Sequence, residues 1–374
     1  MSAPRLSVAA LVCCAVGSLG ATAASATDLV YGSWVSPKHS VMRTAMPPFF
    51  AAVKKATNGT INWKIVGGGQ LVDAKGTVPG LKDGLIDGGF VIPSFGPSYT
   101  PTTSLVFNTQ VFGDDPVAAT GAQSELVLLR CPQCLAEARK MNFIPLGSYS
   151  TSPFLLMCRM PVATLADLKG LKVRAAGGGI GVTRLAGMTP VTMSPADATQ
   201  ALQRGGLDCV LGAASWLRSY GYQDVVKTVI DYPLGMSGPS IHLAINRTRF
   251  RAMTPAQRKA HVDAAAEAAA IATIDGYILY EKTIVEAAKK KGVKFVKGGA
   301  EFEAVATRRE AEQREANIKA SANLNVPNPG PVLDAYEAAV KKWRALSKEI
   351  GTDTKKFTEA LQREIYSKLD PEKL

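Results

Sequence analysis

The sequence predicts an α/β protein built from two domains, and three observations carry that prediction. Strand-like and helix-like segments alternate from residue 28 onward: 28–34 is strand-like, 41–57 is helical and 61–66 is strand-like again. The 374 residues are 47% hydrophobic, which is enough apolar material for two cores. An Ala-rich helical pattern over 255–291 exceeds an ordinary globular helix, so it is predicted to run along both domains as a spine.

The β-α-β-α-β rhythm over residues 28–92 favours a parallel sheet, and the remaining elements follow in chain order from the same patterns. Ser194 and Pro195 mark a clear helix start, and Gly205 and Gly206 mark its end. The extended run 150–160 is long enough to cross from one domain to the other. The other predicted helices are 77–85, 118–141, 301–320 and a polar tail over 332–374 without a strong apolar stripe; the other predicted strands are 89–92, 143–148, 171–175, 207–211, 241–246 and 293–296.

The first 26 residues have the composition of a secretory signal peptide. Residues 1–5 form a short basic region, 6–19 are apolar, and Ala24-Ser25-Ala26 is a small-x-small cleavage site. The apolar run is shorter than the roughly 20 residues that a spanning helix needs. We therefore expect an exported protein.

Composition and motifs argue against nucleic-acid binding and against catalysis. The net charge is +12, but Lys and Arg are spread over helical segments instead of alternating with aromatic residues on one face. The three histidines are His39, His242 and His261, and none lies in a nucleophile or HExxH motif. We expect no nucleic-acid partner, no metal site and no cofactor. A secreted hydrolase that uses His39 or His242 with a serine is the alternative from the class of enzymes.

Four cysteines follow the predicted signal peptide. Cys131 and Cys134 have the CxxC spacing of a redox motif or of half a zinc site, but no second CxxC occurs. In an oxidising compartment we expect them to form a small structural disulfide at the start of a helix. Cys158 and Cys209 lie on strand-like segments, where buried free thiols are common, and the sequence leaves their pairing open.

Arg174 is the candidate binding residue with the strongest signal. It ends a short apolar strand and is followed by a run of three glycines, 177–179. A guanidinium in a core-like segment is costly unless an anion meets it, and its planar fork matches a carboxylate with two parallel hydrogen bonds. The glycines are predicted to allow close approach of a ligand or to form a helix N-terminus near an anion. In the alternative, Arg174 forms a salt bridge with a protein acid such as Asp208.

Further candidates are aromatic and polar residues at predicted strand ends, in loops or on the crossing run, where open α/β sheets bind ligands. As a set the aromatic residues would form the apolar walls of a small-molecule pocket, although core packing explains each of them equally well. If His39 does not bind ligand, it is expected to be an exposed residue of a loop. If Gln70 does not bind ligand, it is expected to cap a helix. The aromatic candidates are Trp34, Phe95, Phe154 and Trp216, and the polar candidates are His39, Gln70, Tyr149 and Ser152.

Two segments carry a specific resemblance to a known family. They are DLKGLKVR at 167–174 and ALQRGGLD at 201–208, supported by GQL at 69–71 and GLID at 84–87. With these motifs the chain resembles the extracytoplasmic substrate-binding proteins of TRAP transporters, the DctP-like family, from the first strand to about residue 320. In that family the arginine at the position of Arg174 pairs with the carboxylate of the substrate.

The resemblance implies a two-lobed periplasmic-binding-protein fold with crossing strands and a long interlobe helix. Ligand is expected to be captured between the lobes by closure. The implied boundaries are 27–149 plus 240–280 for lobe I, 150–239 plus 281–330 for lobe II, and 331–374 for a C-terminal helical tail.

Two departures from the family pattern bear on the ligand. Many members have a second arginine about twenty residues upstream of the first, where this chain has Ser152-Pro153-Phe154. Sialic-acid-type members have an asparagine where this chain has Gly212. The resemblance therefore implies capture of a small monocarboxylate with an apolar or aromatic body, and its delivery to a TRAP-type membrane permease. A periplasmic sensor that signals to a receptor is a further alternative.

Overall fold

The computed structural model describes residues 26–374, so the predicted signal peptide, apart from Ala26, lies outside the described residues. Within 26–374 no helix combines the length and the apolar character that a bilayer crossing requires. The strands are β1 (Thr27–Gly32), β2 (Ile61–Val66), β3 (Gly88–Val91), β4 (Phe143–Tyr149), β5 (Leu155–Cys158), β6 (Lys172–Arg174), β7 (Thr189–Val191), β8 (Cys209–Gly212), β9 (Thr228–Asp231), β10 (Ser240–Asn246) and β11 (Lys294–Lys297).

Helices surround the strands, and two of them are extended by π-helical turns. Leu126–Arg130 continues α5, and Ile274–Leu279 joins α12 to α13. The helices are α1 (Ser40–Thr44), α2 (Met46–Ala56), α3 (Thr77–Lys82), α4 (Pro101–Asn108), α5 (Pro116–Glu125), α6 (Pro132–Lys140), α7 (Leu165–Leu168), α8 (Gly179–Leu185), α9 (Pro195–Gln203), α10 (Trp216–Ser219), α11 (Arg247–Ala252), α12 (Pro255–Thr273), α13 (Tyr280–Lys290), α14 (Ala300–Ser321), α15 (Gly330–Ile350) and α16 (Thr354–Glu364).

The strands form two separate sheets, each the centre of one lobe. The sheet of lobe I has the order β2-β1-β3-β10-β4, and the sheet of lobe II has the order β11-β9-β5-β8-β6-β7. The predicted α/β class with two lobes is confirmed. The first three strands pair in parallel, as their alternation with helices predicts, because β1 lies between β2 and β3 in the same direction. Each sheet is nevertheless mixed. Strand β10 runs antiparallel to β3 and β4, and β5 runs antiparallel to β8 and β9.

These antiparallel strands arise because the chain passes between the lobes at two crossing segments, 150–154 and 232–239. The two segments lie side by side in opposite directions. Tyr149 pairs with Ser240 at one end, and the backbone N–H of Phe154 donates to the carbonyl of Gly235 (N···O 3.0 Å) at the other. Strands β5 and β10 each enter their sheet from the opposite lobe, and each runs against the strands beside it.

The long helix predicted over 255–291 is present as α12, a π-helical segment and α13. A capping box between Thr254 and Gln257, with Pro255 in the first turn, starts it. Helix α12 packs on α2 and β4 of lobe I, whereas α13 contacts α10 of lobe II. The helix therefore lies along both lobes, as a spine would.

The C-terminal tail is a packed part of lobe I, with α15 against α5 and α16 against α12. The prediction that it has no strong apolar stripe is wrong. Val332, Tyr336, Ala339 and Trp343 are spaced by three or four residues and are buried. Trp343 is fully buried and donates its indole N–H to Glu125 (2.9 Å).

Both cysteine pairs form disulfides. Cys131–Cys134 lies at the N-terminus of α6, and the Cys131 sulfur accepts a hydrogen bond from the Cys134 amide (3.1 Å), as expected for a small structural disulfide. Cys158 and Cys209 are directly opposed on β5 and β8 and are also bonded, so free thiols at these positions are ruled out. The pairing depends on strand register, which local sequence does not reveal.

Candidate functional site

Arg174 is a buried cation at the end of β6. Its side chain is enclosed, with the residue only 2% exposed, and its guanidinium carbon lies 5.3 Å from the centre of the Trp216 ring. The Nε–H donates to the carbonyl of Met193 (2.8 Å). Burial lowers the pKa of Arg174. No Asp or Glu in the described residues forms an ion pair with it, so the charge lacks a counter-ion in the protein.

Asp208 does not neutralise Arg174, which excludes the salt bridge considered from the sequence. Its carboxylate instead accepts a hydrogen bond from the backbone amide of Lys172 (2.8 Å) and holds the start of β6. In the run of glycines after Arg174, Gly177 and Gly178 face lobe I, Gly179 faces β8 of lobe II, and none of the three lines the cavity. A Cβ on Gly177, whose φ is +56°, would lie 2.6 Å from the Phe107 ring. The glycines therefore allow the lobes to approach each other closely.

Arg174 lines a small cavity between the lobes, with a volume of about 40 Å³. Its walls are mostly aromatic. Phe154 and Trp216 pack together with ring centres 5.6 Å apart, and Trp34 meets Phe95 edge to face at 5.6 Å. The predicted residues that line the cavity are Trp34, His39, Phe95, Tyr149, Phe154, Arg174 and Trp216.

A chain of hydrogen bonds edges the cavity on the side of lobe I. The Tyr277 hydroxyl lies 3.2 Å from His39 Nε2 and 3.3 Å from the Tyr149 hydroxyl. His39 is buried, not an exposed loop residue, and burial lowers its pKa to about 3, so the ring is neutral near pH 7. Its Nδ1 has no partner among the described residues. The His39 ring lies 6.0 Å from the Tyr220 ring of lobe II, so both sides of the cleft meet here.

Two predicted residues lie elsewhere. Gln70 is exposed in the turn after β2 and does not line the cavity. Ser152 donates its hydroxyl to Glu281 on α13 (2.6 Å), and the backbone amides of Ala214 and Ser215 donate to the same carboxyl group. Burial nevertheless raises the pKa of Glu281 to about 7. Ser152 therefore contributes to a buried network beside the cavity.

Ser152 and Glu281 also border a second, wider groove, which is lined by α13 together with residues 114–116, 152–155 and 231–233. This groove has a volume of about 590 Å³ and is more open to solvent than the cavity at Arg174. Its lining includes the acidic residues Asp114, Asp231, Glu281 and Glu286, with Lys282 as the cation. Four acidic residues against one lysine disfavour an organic anion, so the smaller cavity at Arg174 is the candidate binding site.

Several cavity residues were not found from the sequence. Tyr277 lies within the predicted spine helix, where an aromatic residue is indistinguishable from core packing. Thr151 and Ser237 lie on the two crossing segments, and nothing local marks them as facing a ligand. The positions that sequence reasoning missed include Phe90, Phe107, Thr151, Tyr220, Ser237, Ser240 and Tyr277.

Comparison with known proteins identifies the family. The family model described as bacterial extracellular solute-binding protein, family 7 (DctP) matches residues 31–316. The chain therefore belongs to this family, whose members bind solutes for transport and are not enzymes. TRAP solute-binding proteins of this kind are periplasmic, bind small organic acids and work with membrane permease components.

Solved structures of TRAP solute-binding proteins share the fold. One from a marine metagenome, specific for aromatic acid ligands and in complex with 3-hydroxybenzoate, has a TM-score of 0.73 and 18% identity over 85% of this chain and 99% of that one. The protein from Rhodoferax ferrireducens with copurified benzoate has a TM-score of 0.71 and 18% identity over 86% and 99%. The protein from Bordetella bronchiseptica with bound mandelate has a TM-score of 0.69 and 19% identity over 84% and 99%.

Proposed function

We propose that this protein is the periplasmic solute-binding protein of a TRAP transporter, exported by residues 1–26, and that it delivers a small monocarboxylate to the membrane permease. The ligand has an apolar or aromatic body. The single observation that carries the proposal is Arg174, a buried cation without a protein counter-ion among the described residues, in a cavity with mostly aromatic walls. A carboxylate supplies the missing charge, and aromatic walls favour a flat apolar body.

The capture mechanism is closure of the two lobes on the ligand. Arg174 belongs to lobe II, and His39 and Tyr277 approach the cavity from the other side. When the Tyr277 hydroxyl donates to His39 Nε2, the neutral ring has its hydrogen on the unpartnered Nδ1. We propose that this N–H and the guanidinium both donate to the carboxylate. Such a bridge exists only in the closed form, so binding stabilises that form.

The alternatives have weaker support. A hydrolase would need a histidine paired with a nucleophile, but in the described part of the chain His39 contacts a tyrosine hydroxyl and His242 is buried beneath the Tyr149 ring. A sensor would use the same cavity and the same closure. Uptake of a labelled acid by vesicles that contain the permease, with and without this protein, separates transport from sensing.

The central test replaces Arg174 with methionine, which keeps an unbranched apolar chain against Trp216 but removes the charge. Arg309→Met is the matched control, because Arg309 is also buried but does not line the cavity. Calorimetric titration with benzoate, 3-hydroxybenzoate and mandelate should show affinity falling at least about thirtyfold in Arg174→Met only. Unchanged affinity in that variant, or no acid bound by the wild type, contradicts the proposal.

A further inference from the structure

Thr151 and Ser237 lie nearly opposite each other on the two crossing segments. The segments pair at Tyr149 with Ser240 and at Phe154 with Gly235, and they run in opposite directions between these points. Interpolating this register brings Thr151 and Ser237 within one position of facing each other. Both residues also line the cavity that contains Arg174. The junction between the lobes therefore contributes two hydroxyl-bearing residues to a cavity with mostly aromatic walls.

Neither hydroxyl has a hydrogen-bond partner in the described residues. Thr151 is 4% exposed and Ser237 is 1% exposed, and both oxygens are enclosed. Buried hydroxyl groups in folded proteins nearly always find a partner in the protein or in an ordered molecule. The adjacent Ser150 illustrates the contrast, because its hydroxyl donates to the carbonyl of Thr151 (3.3 Å) and its amide to the Thr120 hydroxyl (2.8 Å). Two neighbouring exceptions in one cavity indicate a partner that enters with the ligand.

We infer that Thr151 and Ser237 form a specificity subsite for a second, uncharged polar group of the ligand, a hydroxyl or a keto oxygen. This inference rests on the proposed function and extends it from a carboxylate to an oxygenated carboxylate. Hydroxyl side chains both donate and accept, so either group satisfies them. A second carboxylate does not fit, because Arg174 is the only Lys or Arg among the residues that line the cavity.

Discrimination against unsubstituted acids follows from what each ligand does to the two hydroxyls. A ligand without a second polar group leaves both hydroxyls unpaired, whereas an oxygenated ligand supplies hydrogen bonds to them. One such hydrogen bond changes affinity about five- to tenfold, so the pair can distinguish two acids that differ by a single oxygen atom.

The test compares matched acids on matched variants. The acids are benzoate with 3-hydroxybenzoate, and phenylacetate with mandelate, each pair differing by one hydroxyl group. The variants are Thr151→Val and Ser237→Ala. The control is Thr100→Val, because the Thr100 hydroxyl is also buried without a partner but does not line the cavity. Calorimetric titration measures affinity, and thermal unfolding without ligand confirms that each variant is folded.

Wild type should bind the hydroxylated acid of at least one pair about tenfold more tightly than its parent. Thr151→Val or Ser237→Ala should reduce that preference about fivefold or more and leave the affinity for the parent acid unchanged. Thr100→Val should behave as wild type. Equal affinity for both members of each pair, or a preference that survives in both variants, overturns the subsite but leaves the proposed function intact. Failure of wild type to bind any of the acids overturns both.

Discussion

The two disulfides close loops of very different length, which gives a quantitative prediction. Cys158–Cys209 joins residues 51 positions apart, whereas Cys131–Cys134 joins residues 3 positions apart. Restricting the unfolded chain stabilises the native state by about 4 kcal/mol for the long loop and about 2 kcal/mol for the short one. Replacing each pair by alanine should therefore cost about 2 kcal/mol more at Cys158 and Cys209.

The comparison is well matched because all four cysteines are almost completely buried. Replacement by alanine leaves a similar small cavity at each site, so the cavity cost largely cancels in the difference. Urea unfolding followed by circular dichroism gives the free energy of unfolding of the wild type and of each double variant. Equal losses in the two double variants, or a larger loss at Cys131 and Cys134, would refute loop closure as the source of the stabilisation.

Two further predictions concern the interior beside the cavity and the contact between the lobes. Burial raises the pKa of Glu281 to about 7, above its ordinary value of 4.5, so the native state binds more protons than the unfolded state between these values. The contribution of Glu281 is present in full below pH 4.5 and is lost as the pH rises through 7, a change of about 3 kcal/mol. Urea unfolding of the wild type and of Glu281→Gln should be measured from pH 4 to 8. The free energy of unfolding of the wild type should fall relative to that of Glu281→Gln as the pH rises, and a difference that stays constant with pH would contradict this. In Gly178→Ala, the new Cβ would lie 2.5 Å from the carbonyl oxygen of Asn108 in lobe I, which hinders closure of the lobes. Overpacking of this kind costs about 2 kcal/mol, so ligand affinity should fall about thirtyfold. Gly206→Ala is the control, because its Cβ would have no neighbouring atom closer than 3.6 Å, and it should bind ligand as the wild type does. Equal affinity of the two variants in calorimetric titration would show that Gly178 does not contact Asn108 in the closed form.

Most of the secondary structure follows from local patterns. The strand that ends at Arg174, the helix that begins at Pro195 and the long helix that begins at Pro255 all lie close to where the sequence predicts them. Each has a local cause, such as an apolar run, an N-cap or a proline in the first turn. The C-terminal tail differs from its prediction because its apolar stripe around Trp343 lies among many charged residues.

Some residues of the candidate site can likewise be predicted from local sequence, and others cannot. Arg174 stands out in the sequence because a charge in an apolar strand is itself unusual, and seven of the nine predicted residues line one cavity. Gln70 and Ser152 do not, because a position near a strand end does not determine which way a side chain points. Thr151 and Ser237 carry no local signal at all.

The sequence by itself determined the α/β class, the family motifs and the chemical character of the site, because hydrophobic periodicity, caps and a misplaced charge are properties of short segments. Only the tertiary structure decided the antiparallel crossing segments, the bond between Cys158 and Cys209, and the meeting of His39 with Tyr220. Each of these joins residues far apart in the chain. Contacts of that kind depend on strand register and on how the two lobes pack, and neither is encoded in the residues next to them.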